Sequence, residues 1–167
     1  QNPYGSLNPR HKVGYILEEP LLLNTDMDGD ARRKKAEDTM KRVGLRPEHY
    51  ERYPHMFSGG QRQRIAIGRA LATSPEFVVA DEPVSALDVT IQAQILDLMQ
   101  DLGKEYGLTM LFVSHDLAVV RHLADRILVL YKGEIVEQGT GEDLFERPQQ
   151  DYTRQLLQSI PGRALLS

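Results

Sequence analysis

The sequence contains no cysteine, which excludes a disulfide framework and any thiolate metal site and fits a reducing compartment. It has no apolar run near the roughly 20 residues that cross a bilayer, and Gln1 opens no signal peptide, so contact with a membrane would come through a partner protein. The net charge of -4 gives none of the basic footprint that a nucleic-acid backbone requires, and nucleic acid is not an expected partner. Internal repeats and low-complexity tracts are also missing. So is the phosphate-cradling pattern Gly-x-x-x-x-Gly-Lys-Ser/Thr: Gly103-Lys104 is followed by Glu105, and Leu98 stands where the first glycine would be. The chain opens without Met, in the polar turn sequence Gln1-Asn2-Pro3-Tyr4-Gly5, and reads as a piece of a longer polypeptide.

What is present suits one globular unit. The 167 residues are 41% hydrophobic and 26% charged, enough to bury a core without being disordered. Apolar residues at Val13, Ile16, Leu17 and Leu21 have helical spacing, interrupted by Pro20. A second helix is expected from about Asp30 to Val43, with Gly44 as its stop signal. Its Arg32 to Lys35 run is matched by Glu37 and Asp38 at helical spacing, as on a solvated face. Pro47 restarts a short helical turn towards Tyr50.

Chemistry concentrates between Phe57 and Asp88. Ser58-Gly59-Gly60-Gln61 has capping-box form, which satisfies orphan N–H groups at a helix start. Two glycines cost backbone entropy that a cap does not require, and they suit a close approach to the backbone, as at a helix-terminal anion site. The helix continues through Ile65, Ala66, Ala70 and Leu71, with Arg62, Arg64 and Arg69 on its polar face. Phe77 to Ala80 is a short apolar run, as expected of a strand buried on both faces of a parallel sheet. Asp81 and Glu82 then fall at the strand's C-terminal end, where open α/β sheets bind ligands. They are candidates for holding a cation and for orienting or deprotonating a water. Asp88 has the form of an N-cap for a helix whose apolar stripe is Ile91, Ile95, Leu98 and Leu102, ended by Gly107. A second strand is expected from Leu108 to Val113, followed by Ser114-His115-Asp116 on the same sheet edge as Asp81. A short helix runs through Leu117, Val120 and Leu123. Ile127 to Tyr131 and Glu134 to Glu137 form a hairpin across Lys132-Gly133, and Thr140 opens a further helix.

In this order and spacing, the Ser-Gly-Gly-Gln, Asp81-Glu82-Pro83 and Ser85-Ala86-Leu87-Asp88 segments resemble the ABC ATPases, in which the signature sequence, Walker B strand and D-loop succeed one another. Gln1 stands at the place of that family's Q-loop glutamine and His115 at that of its switch histidine. The resemblance implies an α/β fold, a partial P-loop NTPase (RecA-like) core with an α-helical subdomain. Residues 1–72 would hold the Q-loop, helical subdomain and signature motif, 73–139 the C-terminal part of the core, and 140–167 a helical tail.

ATP and Mg²⁺ are the cofactors implied. Asp81 and Gln1 would serve the metal, while Glu82, His115 and Gln1 would act on the attacking water and γ-phosphate. Ser58, Gly59, Gly60, Gln61 and Asp88 would face the nucleotide held by a second ATPase subunit. Gln1 to Pro9 and the tail Gln150 to Leu157, with Gln150-Asp151 departing from the usual His-Pro, resemble the ATP-binding subunits of bacterial peptide importers. That implies a peripheral protein at the cytoplasmic face of the inner membrane, coupled to permease subunits and indirectly to a substrate-binding protein. Two alternatives are a non-catalytic interaction fragment, suggested by the missing phosphate loop, and a soluble ABC ATPase of repair or translation. For the latter, the uninterrupted spacing from Ser58 to His115 lacks the expected insertions.

Overall fold

A computed structural model describes residues 5–159. The chain divides into two compact units, residues 1–113 and 114–167.

The first unit begins with helix α1 (Val13–Asn24), which packs against α2 (Gly29–Arg42) and α3 (Gly59–Leu71). The spacing of Val13, Ile16, Leu17 and Leu21 places all four on one side of α1, each at most 2% exposed. Val13, Ile16 and Leu17 join Met40, Val43 and Ile65 in one core cluster. Pro20 lies inside α1 and does not end it, unlike the interruption expected from the sequence. A proline there removes one helical hydrogen bond, a cost of about 3 kcal/mol. Full burial of Leu17 and Leu21 returns about 1.5–3 kcal/mol each, so packing on both sides of Pro20 carries the helix through. α2 starts at Asp28, whose side chain accepts the Ala31 N–H, and its last turn leads to Gly44 at φ 73°. The Arg33–Glu37 pair lies on its exposed side, as the charge pattern implied.

Two short 3₁₀ turns, Pro47–His49 and Pro54–Met56, lead into α3. Strand β1 (Phe77–Asp81) then pairs in parallel with β2 (Thr109–Val113), Phe77 opposite Thr109 and Asp81 opposite Val113. Between them runs α4 (Val89–Tyr106). It ends at Gly107 in the left-handed conformation, φ 62°, with the Leu108 N–H returning to the Gly103 carbonyl at 2.9 Å. That 6→1 bond is the usual device for stopping a helix at glycine.

The expectation of a strand buried on both faces is corrected. Side chains alternate across a strand. Val78 and Ala80 face the covered side, whereas Phe77 and Val79 are 54% and 58% exposed. Leu111 and Val113 of β2 are exposed in the same way. Among the described residues this sheet has two strands, and an apolar run alone does not reveal how many faces are covered.

In the second unit, α5 (Leu117–Leu123) precedes β3 (Arg126–Tyr131) and β4 (Glu134–Thr140), an antiparallel hairpin. Its Lys132-Gly133 turn has φ of 50° and 86°, the positive values that two-residue hairpin loops require. Helices α6 (Gly141–Glu146) and α7 (Asp151–Gln158) follow, and Ile127, Leu144, Phe145 and Leu157 form the core of this unit.

Candidate functional site

The first unit holds two capped helix N-termini that abut and, separately, the acidic end of a strand. At α3, Ser58 is extended (φ -66°, ψ 165°), its Oγ accepts the Gln61 N–H at 3.4 Å, and Gln61 Oε1 accepts the Ser58 N–H at 3.1 Å. The capping box read from the sequence is therefore formed. A helix N-terminus gathers N–H groups without intrahelical partners and the positive end of the helix dipole. Gly60 is buried, and a Cβ there would stand 2.5 Å from Cγ2 of Ile91 in α4. Close internal packing thus accounts for the second glycine, while Gly59 stays half-buried.

Ile91 lies in the first turn of α4, where its N–H donates to Asp88 Oδ1 at 3.0 Å. The Ser58-capped and Asp88-capped termini therefore abut, with Gly60 and Ile91 as the contact. Gln92, which sequence reading passed over, holds the turn before α4. Its Nε2 donates to the Val84 carbonyl at 3.0 Å and the Leu87 carbonyl at 3.1 Å. An amide four residues after an N-cap was the available signal, but glutamine on a helix surface is too common for it to stand out.

Asp81 closes β1 and is exposed; Glu82 is half-buried. The Glu82 N–H donates to the Val113 carbonyl at 2.8 Å, and its own carbonyl accepts from the Ser85 hydroxyl at 3.1 Å. Between these anchors Glu82 adopts φ 45°. The left-handed region is costly for a residue with a Cβ and is occupied most often where the surroundings impose it, notably at functional sites. Among the described residues no three His, Asp or Glu side chains gather as a metal cage. A single exposed carboxylate suits Mg²⁺, which is usually held by one or two carboxylates together with phosphate oxygens and water. The exposed Asp81 carboxylate therefore fits a magnesium ion, and the capped α3 terminus separately fits a phosphate.

Gln1 lies outside the described residues. His115 belongs to the second unit, exposed in the turn before α5. Around it, Asp116 caps α5 by accepting the Ala118 N–H at 2.9 Å, and Ser114 Oγ accepts the Asp116 N–H at 3.0 Å.

The ABC transporter family matches residues 4–85. The chain is 60% identical over 161 residues to the dipeptide transport ATP-binding protein DppF of Escherichia coli (strain K12), covering 96% of this chain and 48% of that protein. It is 53% identical to the glutathione import ATP-binding protein GsiA of Pectobacterium atrosepticum, over 96% of this chain and 26% of that one. It spans about half the length of the DppF proteins it matches. Among solved structures, the dimeric ATP-binding cassette MJ0796 bound to ADP and Pi superposes with a TM-score of 0.69 at 36% identity, over 81% of this chain and 59% of that one. The protein cbiO1 of Clostridium perfringens, part of the ABC transporter complex cbiONQ, gives 0.78 at 26% identity, over 99% of this chain and 64% of that one. The architecture is thus part of the α/β core of an ABC cassette. The Ser58–Gln61 turn and the Asp81–Glu82 strand end both lie within residues 4–85, the part of the chain that matches the ABC transporter family.

Proposed function

We propose that this chain is part of the ATP-hydrolysing, energy-coupling subunit of an ABC importer for dipeptides or oligopeptides. The observation that carries the reading is the junction at Gly60 and Ile91, which sets two capped helix N-termini side by side in the unit that also bears Asp81 and Glu82. The peptide specificity is supported by the identity to DppF, and the pairing of two subunits by the dimeric cassette MJ0796.

Bound Mg·ATP would supply the γ-phosphoryl group and the cation that neutralises its charge. Asp81 would hold that cation. Glu82 orients the attacking water and accepts its proton, with the backbone bonds to Val113 and Ser85 fixing the carboxylate's starting point. By the resemblance, His115 would hydrogen-bond the γ-phosphate and Gln1 would serve the metal and the water. Ser58 offers its hydroxyl, and Gly59 and Gly60 their backbone N–H groups, to the phosphate held by the second subunit; Gln61, which accepts the Ser58 N–H, keeps the turn in shape, and Asp88 reaches across the subunit interface. Positioning and electrostatics of this kind carry most of the acceleration in phosphoryl transfer.

In this reading residues 1–72 form the Q-loop and helical subdomain, 73–139 the core portion, and 140–167 a tail. The helical subdomain docks on integral-membrane permease subunits at the cytoplasmic face of the bacterial inner membrane, and the substrate-binding protein acts from the other side. The test is Glu82→Gln in the natural polypeptide that carries this chain. Nucleotide binding should persist while phosphate release stops, and steady-state turnover in that variant would falsify the assignment of Glu82.

A further inference from the structure

His49 is 3% exposed and Phe57 6%. The imidazole meets the Phe57 ring edge-on, with centroids 5.1 Å apart and planes at 89°. Its Nδ1 accepts the Arg46 N–H at 3.2 Å, closing the first 3₁₀ turn. The segment carrying His49 is tied down independently, because the N–H groups of Val13 and Gly14 each donate at 2.9 Å to the carbonyls of Arg52 and Tyr50. The neighbouring Phe57 carbonyl accepts from Arg62 Nε at 3.1 Å. Phe57 is therefore gripped by its ring and by its carbonyl, and the next residue is Ser58.

We propose that His49 is a positioning residue for the Ser58–Gln61 turn, acting through its edge contact with the Phe57 ring. A rotation of that ring would shift the extended residue that caps α3, and with it the N–H groups offered to phosphate. Buried aromatic pairs in this geometry are worth more than their area alone. Burial, assisted by the positive charges of Arg46 and Arg52 and opposed by Glu48, also holds the imidazole below its ordinary pKa. The ring is thus a neutral acceptor at pH 7, as the Arg46 bond requires.

The inference rests on the reading of Ser58–Gln61 as phosphate-facing, and two substitutions separate its parts. His49→Asn places an acceptor at the same bond distance from Cβ as Nδ1, so it keeps the turn and loses the ring. His49→Phe keeps the ring and loses the acceptor. In the natural polypeptide, His49→Asn should lower kcat for ATP by about tenfold or more, since small misplacements of catalytic groups carry losses of that order. Nucleotide affinity of the separate subunit should not change. His49→Phe should keep the wild-type kcat even if its thermal midpoint falls. Wild-type kcat in His49→Asn, or an equal loss in His49→Phe, would overturn the proposal. If His49→Asn does not fold, His49→Leu, which also removes the imidazole from the Phe57 ring, carries the same expectation, and wild-type kcat there overturns it too. Ser58→Arg serves as the separate control: full hydrolysis in that variant would remove the phosphate-facing reading itself, whatever His49 does.

Discussion

Gly60 and Ile91 touch so closely that the space for a single methyl group on Gly60 is already filled by Ile91 Cγ2. Through this contact the helix opened by Ser58 and the helix opened by Asp88 are one rigid junction, although 30 residues of sequence separate the two caps.

The junction predicts the behaviour of Gly60→Ala. A Cβ there would stand 2.5 Å from Ile91 Cγ2, a methyl that moves only by rotating χ1 of a β-branched residue held to one rotamer in a helix. Overpacking of this kind costs about 1–3 kcal/mol, read as a lower urea midpoint. Ile91→Ala removes the obstructing methyl, so it should cost less in the Gly60→Ala background than in the wild type. Additive effects in that double-mutant cycle would show that the two helix starts are not coupled here.

Glu82 separates stability from chemistry. With φ at 45° it bears a left-handed conformation that costs about 1–2 kcal/mol for a residue with a Cβ. Glu82→Gly relieves that cost but gains backbone freedom when unfolded. The net expectation is a protein about 0.5–1 kcal/mol more stable than Glu82→Gln, with turnover lost equally in both. Equal denaturation midpoints would mean that the backbone at 82 relaxes when the carboxylate is replaced.

Acid should weaken the region around His49. Burial, then Arg46 and Arg52, lower its folded-state pKa, so the folded protein binds this proton less readily than the unfolded chain. The contribution is complete above the unfolded value of about 6.5 and is lost as pH falls from there through the folded-state pKa. Subtracting the urea midpoints of His49→Phe from those of the wild type between pH 7.5 and 5.5 isolates this slope. A flat difference would place no titration at His49.

A carboxylate in the second unit takes the place of a local cap. Gln150, the residue before α7, makes no side-chain cap. Instead Glu137 of β4 accepts the N–H groups of Gln149 at 2.7 Å and Gln150 at 3.1 Å. Burial alone would raise its pKa, but these donors outweigh it and hold Glu137 below the usual carboxylate range. Its contribution is therefore present above about pH 4.3 and is lost as pH falls through the folded value. Glu137→Ala should accelerate amide exchange in α7 by about tenfold, the size of one hydrogen bond to a charged group. Unchanged exchange would mean that α7 is held by the burial of Leu157 alone.

Local elements were legible because they obey short-range rules. Ser58 and Gln61, Asp88, Gly107 and Lys132-Gly133 each announce a cap, a stop or a turn through groups at most a few residues apart, and the structure forms each of them. Pro20 misled because its local cost is fixed, whereas the gain that offsets it comes from Met40, Val43 and Ile65 on other parts of the chain. The exposed sides of Phe77 and Val79 were hidden for a related reason: an apolar run records what a strand can bury, and its neighbours decide what it does bury.

By itself the sequence determined the elements, their order and the family resemblance, since capping, periodicity and the chain of motifs from Ser58 to Asp88 depend on neighbours in sequence. Only the tertiary structure decided that Ile91 occupies the space above Gly60, that Glu82 is forced to a positive φ between Val113 and Ser85, and that His49 bears on Phe57. Each of these depends on atoms brought within contact distance by packing between elements, and no pattern along the chain encodes such distances.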